Sequence, residues 1–332
     1  MFVWLTVCRQ GQNSVFLERQ GMVSWGRRGG MTHSPPDVPE VLPYRLEGED
    51  QAGTAVFLNS PHSGDLFPEP FLARSQLSRA TLRRASDLFV DALFRPLVGA
   101  GLPMMSAPFP RSFLDLNREP LELDPRLIAG PLPIDANTRS LRVAGGLGTI
   151  PRVIGDQIEI YAGKLSLEEA LARIEACYVP YHLKLHRELA VRHREHGRVL
   201  LLDLHSMPSQ ASPRPQRMMP DLVIGDRFGT SAAPGLVESL ESLARKAGFR
   251  VERNQPYAGG YITKHYGRPG LGWHAIQIEV NRALYMDEAN LQPHEGFVAL
   301  SETLCHLVLQ LVAEQAFDSR KSALHFSQKA AE

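Results

Sequence analysis

RVLLLDLHS, Arg198 to Ser206, is the strongest strand signal in the chain: a short apolar run entered from a charged residue and ending on a histidine. Outward from it, TAVFLNS (Thr54 to Ser60) repeats the pattern and runs into Pro61, His62, Ser63 and Gly64. DLVIG (Asp221 to Gly225), Phe249 to Glu252 and the alternating Ala275 to Val280 read as further strands. Leu102 to Ala107 and Ser112 to Leu116 read as two more. Between them lie helical patterns. Leu82, Leu88 or Phe89, Leu93 and Leu97 give one apolar face to a helix over Leu77 to Leu97. Ser166 with Glu169 fits a capping box, followed at helical spacing by Leu167, Leu171, Ile174 and Tyr178, with Pro180 kinking or restarting the helix. Ala233 to Ala247 is a helix, and Phe297, Leu300, Leu304, Leu307 and Leu311 form the core stripe of a final one. Residues 119–151, rich in Gly and Pro, read as a long loop. Strands alternating with helices predict an α/β fold: a single domain with a mixed, mostly parallel sheet and helices on both faces. Gly26 to Pro43 has no period, and residues 1–45 are expected to form a disordered leader.

Bulk properties narrow the function. Lys plus Arg and Asp plus Glu are 36 each in 332 residues, so the charge balance calls for neither nucleic acid nor an anionic membrane as partner. No apolar run approaches the roughly 18 residues of a membrane span, and the N-terminus makes a poor signal peptide. The three cysteines, Cys8, Cys177 and Cys305, have no paired spacing, which fits a reducing, cytoplasmic setting with Cys177 and Cys305 as buried apolar residues.

In parallel sheets the ligand site lies beyond the carboxyl ends of the strands, and His62, His205 and Glu279 fall there. Two strand-end histidines suit Zn²⁺, which as a catalytic ion takes three protein ligands and keeps an open position. Another divalent metal would suit the same donors. Candidates for the third, acidic ligand are Asp65 in His-x-x-Asp with His62, and Asp87 and Asp91, one turn apart on the predicted helix. Glu279 on an apolar strand is either a general base or the buried ion partner of Arg282. Arg111 and Arg118 flank the predicted strand Ser112 to Leu116, where a guanidinium can clamp a carboxylate or stabilise an oxyanion. Tyr257-Ala-Gly-Gly-Tyr261 reads as a tight turn or flap.

Six segments occur in a telling order: SPHSG (Ser60 to Gly64), SDLFVDALF (Ser86 to Phe94), RSFLDLNREP (Arg111 to Pro120), DLHSMP (Asp203 to Pro208), PYAGGYITKHYGRP (Pro256 to Pro269) and QIEVNRALYMDE (Gln277 to Glu288). From about residue 54 to about 315 the chain resembles the N-formylglutamate amidohydrolase family, itself similar to zinc carboxypeptidases and related acylamino-acid deacylases. The resemblance implies a catalytic domain over residues 46–320, with a tail over 321–332. It implies hydrolysis of N-formyl-glutamate to formate and glutamate, a step of histidine breakdown, on a small-molecule N-acyl amino acid. His62, His205 and Asp87, ahead of Asp91 and Asp65, are implied as zinc ligands. Glu279 is implied as general base, Arg111 as oxyanion stabiliser, and Asn117 with Arg118 as clamp for the substrate α-carboxylate. Tyr261 and Arg282 are further substrate-binding candidates. Arg282 after Glu279 and the long loop with GGLGTIPRVIG (Gly145 to Gly155) mark a divergent branch, for which another acyl group or amino acid is an alternative substrate. The rival readings are a carboxypeptidase-like peptidase and a binding protein without turnover.

Overall fold

The computed structural model describes residues 15–18, 21–24, 42–49, 53–210 and 219–314. The chain divides into two units, residues 1–38 and 39–332. In the first, Val15–Glu18 pairs antiparallel with Gly21–Ser24, within the stretch expected to be a disordered leader. The rest of residues 1–41, Cys8 included, and the proposed tail over 321–332 lie outside the described residues.

The second unit is built on one seven-stranded sheet. Its strands are β1 (Arg45–Glu47), β2 (Val56–Ser60), β3 (Met104–Ser106), β4 (Val199–Met207), β5 (Leu222–Gly225), β6 (Val251–Arg253) and β7 (Trp273–Asn281). They lie in the order β6-β5-β7-β4-β2-β3-β1. Four neighbouring pairs are parallel, β4 with β7 and β2, β2 with β3, and β5 with β6, while β5 with β7 and β1 with β3 are antiparallel. The expected mixed, mostly parallel sheet is therefore present. β4 and β7 are buried along all nine residues of each.

Alternation along these strands separates two faces. Leu200, Leu202, Leu204, Ile276, Ile278 and Val280 join the main apolar core. That core also takes in side chains of α1 (Val90–Phe94), α3 (Pro234–Lys246) and α5 (Gly296–Glu314). The opposite face carries a polar row, Asn59, Asp203, His205, Gln277 and Glu279, beneath α2 (Val179–His196), whose Tyr181 hydroxyl donates to Asn59 Oδ1 at 2.6 Å. By length and composition α5, of 19 residues, resembles a membrane span. Its Leu300, Leu304, Leu307, Val308 and Leu311 are instead buried in this core. Cys177 and Cys305 are free and buried.

Two expected elements are not formed. Leu77 to Leu97 is broken into Arg79–Arg83, Val90–Phe94 and Pro96–Gly99. Phe89 adopts φ 65°, and the Asp87 N–H donates to the His62 carbonyl, which draws this segment out of helix and onto the end of β2. Asp87 and Asp91 therefore do not share a helical face. Ser112 to Leu116 is a turn rather than a strand. The Asp115 carboxylate accepts the Asn117 N–H at 2.9 Å, a local bond that competes with a strand ladder. Further on, Leu167–Arg173 is α-helical with Ser166 accepting the Glu169 N–H, Ile174–Tyr178 forms a π turn, and α2 continues. Pro180, with no N–H to give, falls where the π turn has already interrupted the i→i−4 ladder.

Candidate metal centre and active site

His62, His205 and Glu279 meet at the carboxyl ends of β2, β4 and β7. His62 follows β2 by two residues, and His205 and Glu279 are direct register partners. Asp87, on the segment drawn across from the broken helix, lies between the imidazoles. Its Oδ2 is 3.0 Å from His205 Nδ1 and 3.4 Å from His62 Nδ1. One ligand atom from each of these three buried residues lies within 4.8 Å of the other two.

Both Nε2 atoms face a second carboxylate: His62 meets Asp115 Oδ1 at 2.8 Å, and His205 meets Asp203 Oδ2 at 3.1 Å. Each ring is thus held between two acids, the arrangement in which an outer carboxylate fixes the tautomer and leaves the other nitrogen to a metal. His62 Nδ1 is buried without a hydrogen-bond partner, a costly state that a cation would relieve. Two imidazole nitrogens and a carboxylate are a donor set zinc accepts, so the residues present fit such an ion. Asp65 pairs with Arg83 and Arg79, and Asp91 pairs with Arg95, so neither joins the group.

Neighbouring charges hold the centre in its ionised form. Burial opposes ionisation of Asp87, yet His205 and His62 keep its carboxyl well below the ordinary value. Burial likewise opposes a charged His205, yet Asp203 and Asp87 raise it well above the usual imidazole range. Asp115 is held low, against its burial, by Arg111, Arg118 and His62. Glu279 behaves differently: burial is the largest influence and lifts its carboxyl to about 7, with His205, Arg111 and Arg282 pulling down and Asp87 pushing up. Gln277 fixes this carboxylate, donating from Nε2 to Glu279 Oε1 at 2.7 Å while its own Oε1 accepts the Gly260 N–H at 2.9 Å.

The arginines divide by what they touch. Arg111 donates from Nη2 to Asp115 Oδ2 at 2.7 Å and keeps about a quarter of its side chain exposed. Arg118 spends Nε on the Leu147 carbonyl and Nη1 on that of Asn117, both at 2.8 Å, with Nη2 3.3 Å from Asp115. Burial lowers its guanidinium to about 10. Arg282 does not meet Glu279 through a hydrogen bond. It donates to Asp87 Oδ1 at 3.2 Å, to Ser206 Oγ at 3.1 Å and to the Arg84 carbonyl at 3.1 Å. Arg173 braces the turn from behind, donating to the Tyr161 hydroxyl at 2.7 Å with its Cζ 4.7 Å from the centre of the Phe113 ring.

Of the stretch read as a tight turn or flap, residues 257–260 lead into the helix α4 (Tyr261–Tyr266), which Tyr261 opens. Asn117 Oδ1 accepts the Ile262 N–H at 2.8 Å, which turns its Nδ2 toward His205 Nε2 at 3.3 Å. The Asn117 amide thus engages His205 Nε2, while Asp203 Oδ2, 3.1 Å from the same nitrogen, is buried without a hydrogen-bond partner. A Cβ at Gly260 would lie 2.3 Å from the Asn117 amide atoms, so only glycine lets α4 start there. Tyr261 stacks on His265 with ring centres 5.0 Å apart and lies 5.7 Å from the ring of His182.

Asp115 and Asp203 were not singled out in the sequence. Asp203 carried a usable signal, since it lies two residues before His205 and so on the same face of an otherwise apolar strand.

Residues 54–286 match the family model described as N-formylglutamate amidohydrolase. The chain is 27% identical over 254 residues to the N-formylglutamate deformylase of Pseudomonas aeruginosa, covering 76% of this chain and 87% of that one. It is 29% identical over 241 residues to the enzyme of the same name from Pseudomonas putida, covering 72% and 84%. A crystal structure of N-formylglutamate amidohydrolase from Ralstonia eutropha superposes with a TM-score of 0.77 at 34% identity, covering 82% of this chain and 98% of that one.

Proposed function

Because the chain belongs to the N-formylglutamate amidohydrolase family, we propose that it is a zinc-dependent hydrolase of the amide bond in N-acyl amino acids. N-formyl-L-glutamate is the first candidate, giving formate and L-glutamate. The observation that carries this reading is the convergence of His62 Nδ1, His205 Nδ1 and Asp87 Oδ2 beside a glutamate whose carboxyl is held near neutrality.

His62, Asp87 and His205 would hold the ion, with Asp115 bonded to the outer ring nitrogen of His62, the Asp203 carboxylate beside that of His205, and Arg282 orienting Asp87. A bound divalent cation supplies Lewis acidity toward a carbonyl oxygen and lowers the pKa of water. The remaining steps belong to the protein's own groups. Glu279, raised by burial to about 7, takes a proton from the attacking water and returns it to the leaving amine, which a base poised near the working pH does best. Arg111, partly exposed and tied by one Nη2 bond to Asp115, donates to the oxygen on which charge develops. Asn117, beside His205 Nε2, binds substrate, with Tyr261 at the start of α4 as a further contact. Arg118, with Nε and Nη1 already bonded to main-chain carbonyls, suits a role of positioning Asp115 and the 119–151 segment better than that of a carboxylate clamp. The catalytic domain spans residues 46–320, preceded by a leader and followed by a tail, and acts in the cytoplasm in histidine breakdown.

A panel of N-formyl, N-acetyl and N-succinyl amino acids beside short peptides, assayed with metal-replete and chelator-treated protein, tests the reading. Cleavage of an N-acyl amino acid that disappears with the metal is expected. Full activity after chelation overturns the metal assignment, and preference for peptides overturns the substrate class.

A further inference from the structure

The segment before α4 carries a second tyrosine, Tyr257, that the chemistry above does not use. Its backbone is fixed against the end of β5: the Arg227 N–H donates to the Ala258 carbonyl at 2.8 Å, and a Cβ at Gly225 would meet Ala258 C at 2.8 Å. The half-buried Tyr257 ring packs on Met207, Met219 and Val223. Two of these locate it. Val223 is the cross-strand partner of Glu279, and Met207 lies two residues beyond His205 on the same strand. Directly opposed residues and residues two apart share a face, so Tyr257 covers the face of the sheet on which Glu279 and His205 stand.

The phenol is exposed to the charges of the site. Burial raises it, the Glu279 and Asp87 carboxylates raise it further, and Arg111 and Arg282 pull it back. Its hydroxyl nevertheless makes no hydrogen bond among the described residues. A donor on this face with no acceptor among the described residues is available to the substrate. The substrate's carboxylate is a poor choice, since it would be pressed against Glu279 and Asp87. The scissile amide is neutral in the ground state and must approach Glu279 to react.

We propose that Tyr257 is a catalytic residue whose hydroxyl donates a hydrogen bond to the scissile carbonyl oxygen as it becomes tetrahedral, beside Arg111. This rests on the hydrolytic reading above. Such a donor acts where charge develops, so its loss lowers kcat by about 10²-fold and leaves KM almost unchanged.

The test compares zinc-loaded wild type and Tyr257→Phe, a change that keeps the ring on Met207 and Val223. On the N-acyl amino acid that wild type cleaves best, the variant is expected to retain bound zinc and lose about 10²-fold in kcat. A kcat within about threefold of wild type, or a loss confined to KM, overturns the proposal. A second arm needs no turnover. Calorimetry measures binding of a glutamate derivative with a tetrahedral phosphonate on its nitrogen, with L-glutamate as control. The variant should bind the phosphonate about tenfold or more weakly and L-glutamate equally well. Equal phosphonate affinity, or no binding to wild type, overturns the role of Tyr257. Wild type that binds the phosphonate but cleaves nothing in the panel overturns the hydrolytic reading instead.

Discussion

Glu279→Gln separates a working base from a structural ion pair, because the two readings predict opposite signs for stability. The Glu279 carboxyl is held at about 7 against an ordinary 4.5, chiefly by burial. Below the ordinary value the group is protonated in both folded and unfolded chains and costs nothing. As pH rises, the unfolded chain releases its proton first, so stability is lost progressively until pH passes about 7. The interval from 4.5 to about 7, at about 1.4 kcal/mol per pKa unit, amounts to about 3 kcal/mol. An amide in the same place carries no charge to desolvate and keeps an oxygen to accept the Gln277 N–H. Chelator-treated Glu279→Gln should therefore match wild type in denaturant unfolding at about pH 4.5 and exceed it by up to about 3 kcal/mol at about pH 8.5. With zinc restored, the same variant should lose about 10²-fold or more in kcat. A variant less stable than wild type at the higher pH would mean that the carboxylate is net stabilising, as in an ion pair, and would refute the reasoning.

Three further outcomes follow from the site geometry. Wild type should bind about one zinc per chain by elemental analysis, and His62→Ala and His205→Ala none; metal retained by either variant would remove that residue from the centre. Arg282→Met takes the guanidinium off Asp87 and should weaken zinc binding about 10–100-fold in a competition titration, whereas unchanged affinity would leave Arg282 without influence on the ligand. Arg111→Lys should lower kcat by about 10²–10³-fold while keeping its melting temperature. Arg118→Lys should instead lower the melting temperature, because its Nε and Nη1 bonds to Leu147 and Asn117 are lost; the reverse pattern would exchange the two assignments.

Much of this arrangement was legible because strands end in recognisable ways. Apolar runs terminating on His62 and His205, and a glutamate out of place in Ala275 to Val280, identify the three strands that carry the centre. The helix read over Leu77 to Leu97 failed because periodicity cannot register one residue with positive φ, here Phe89, nor the Asp87 N–H bond to the His62 carbonyl. Ser112 to Leu116 is apolar enough to read as a strand, yet Arg111, Arg118 and His62 converge on Asp115 and the carboxylate takes the Asn117 N–H, so local bonding prevails over pattern. The division of labour among Arg111, Arg118 and Arg282 was readable only in part. It depends on which carbonyls and carboxylates lie within reach: Asp115 and Asn117 are near Arg111 and Arg118 in the chain, but Leu147, Asp87, Ser206 and Arg84 come from segments farther away.

The π turn at Ile174–Tyr178 has a bearing on how the gene tolerates insertions and deletions. Its extra residue offsets the helix before it from α2 by about 100° of rotation. The upstream piece carries Arg173, stacked over Phe113 and bonded to Tyr161, while His182 of α2 meets the Leu116 carbonyl through Nε2 at 2.9 Å. The two pieces thus grip the Arg111–Arg118 turn from two directions, with the spare residue setting their phase. Deleting one residue within the turn would yield a more regular helix and swing Arg173 off Phe113. A tidier local structure would then loosen the segment that presents Arg111 and Asp115, although every residue of the site would still be encoded.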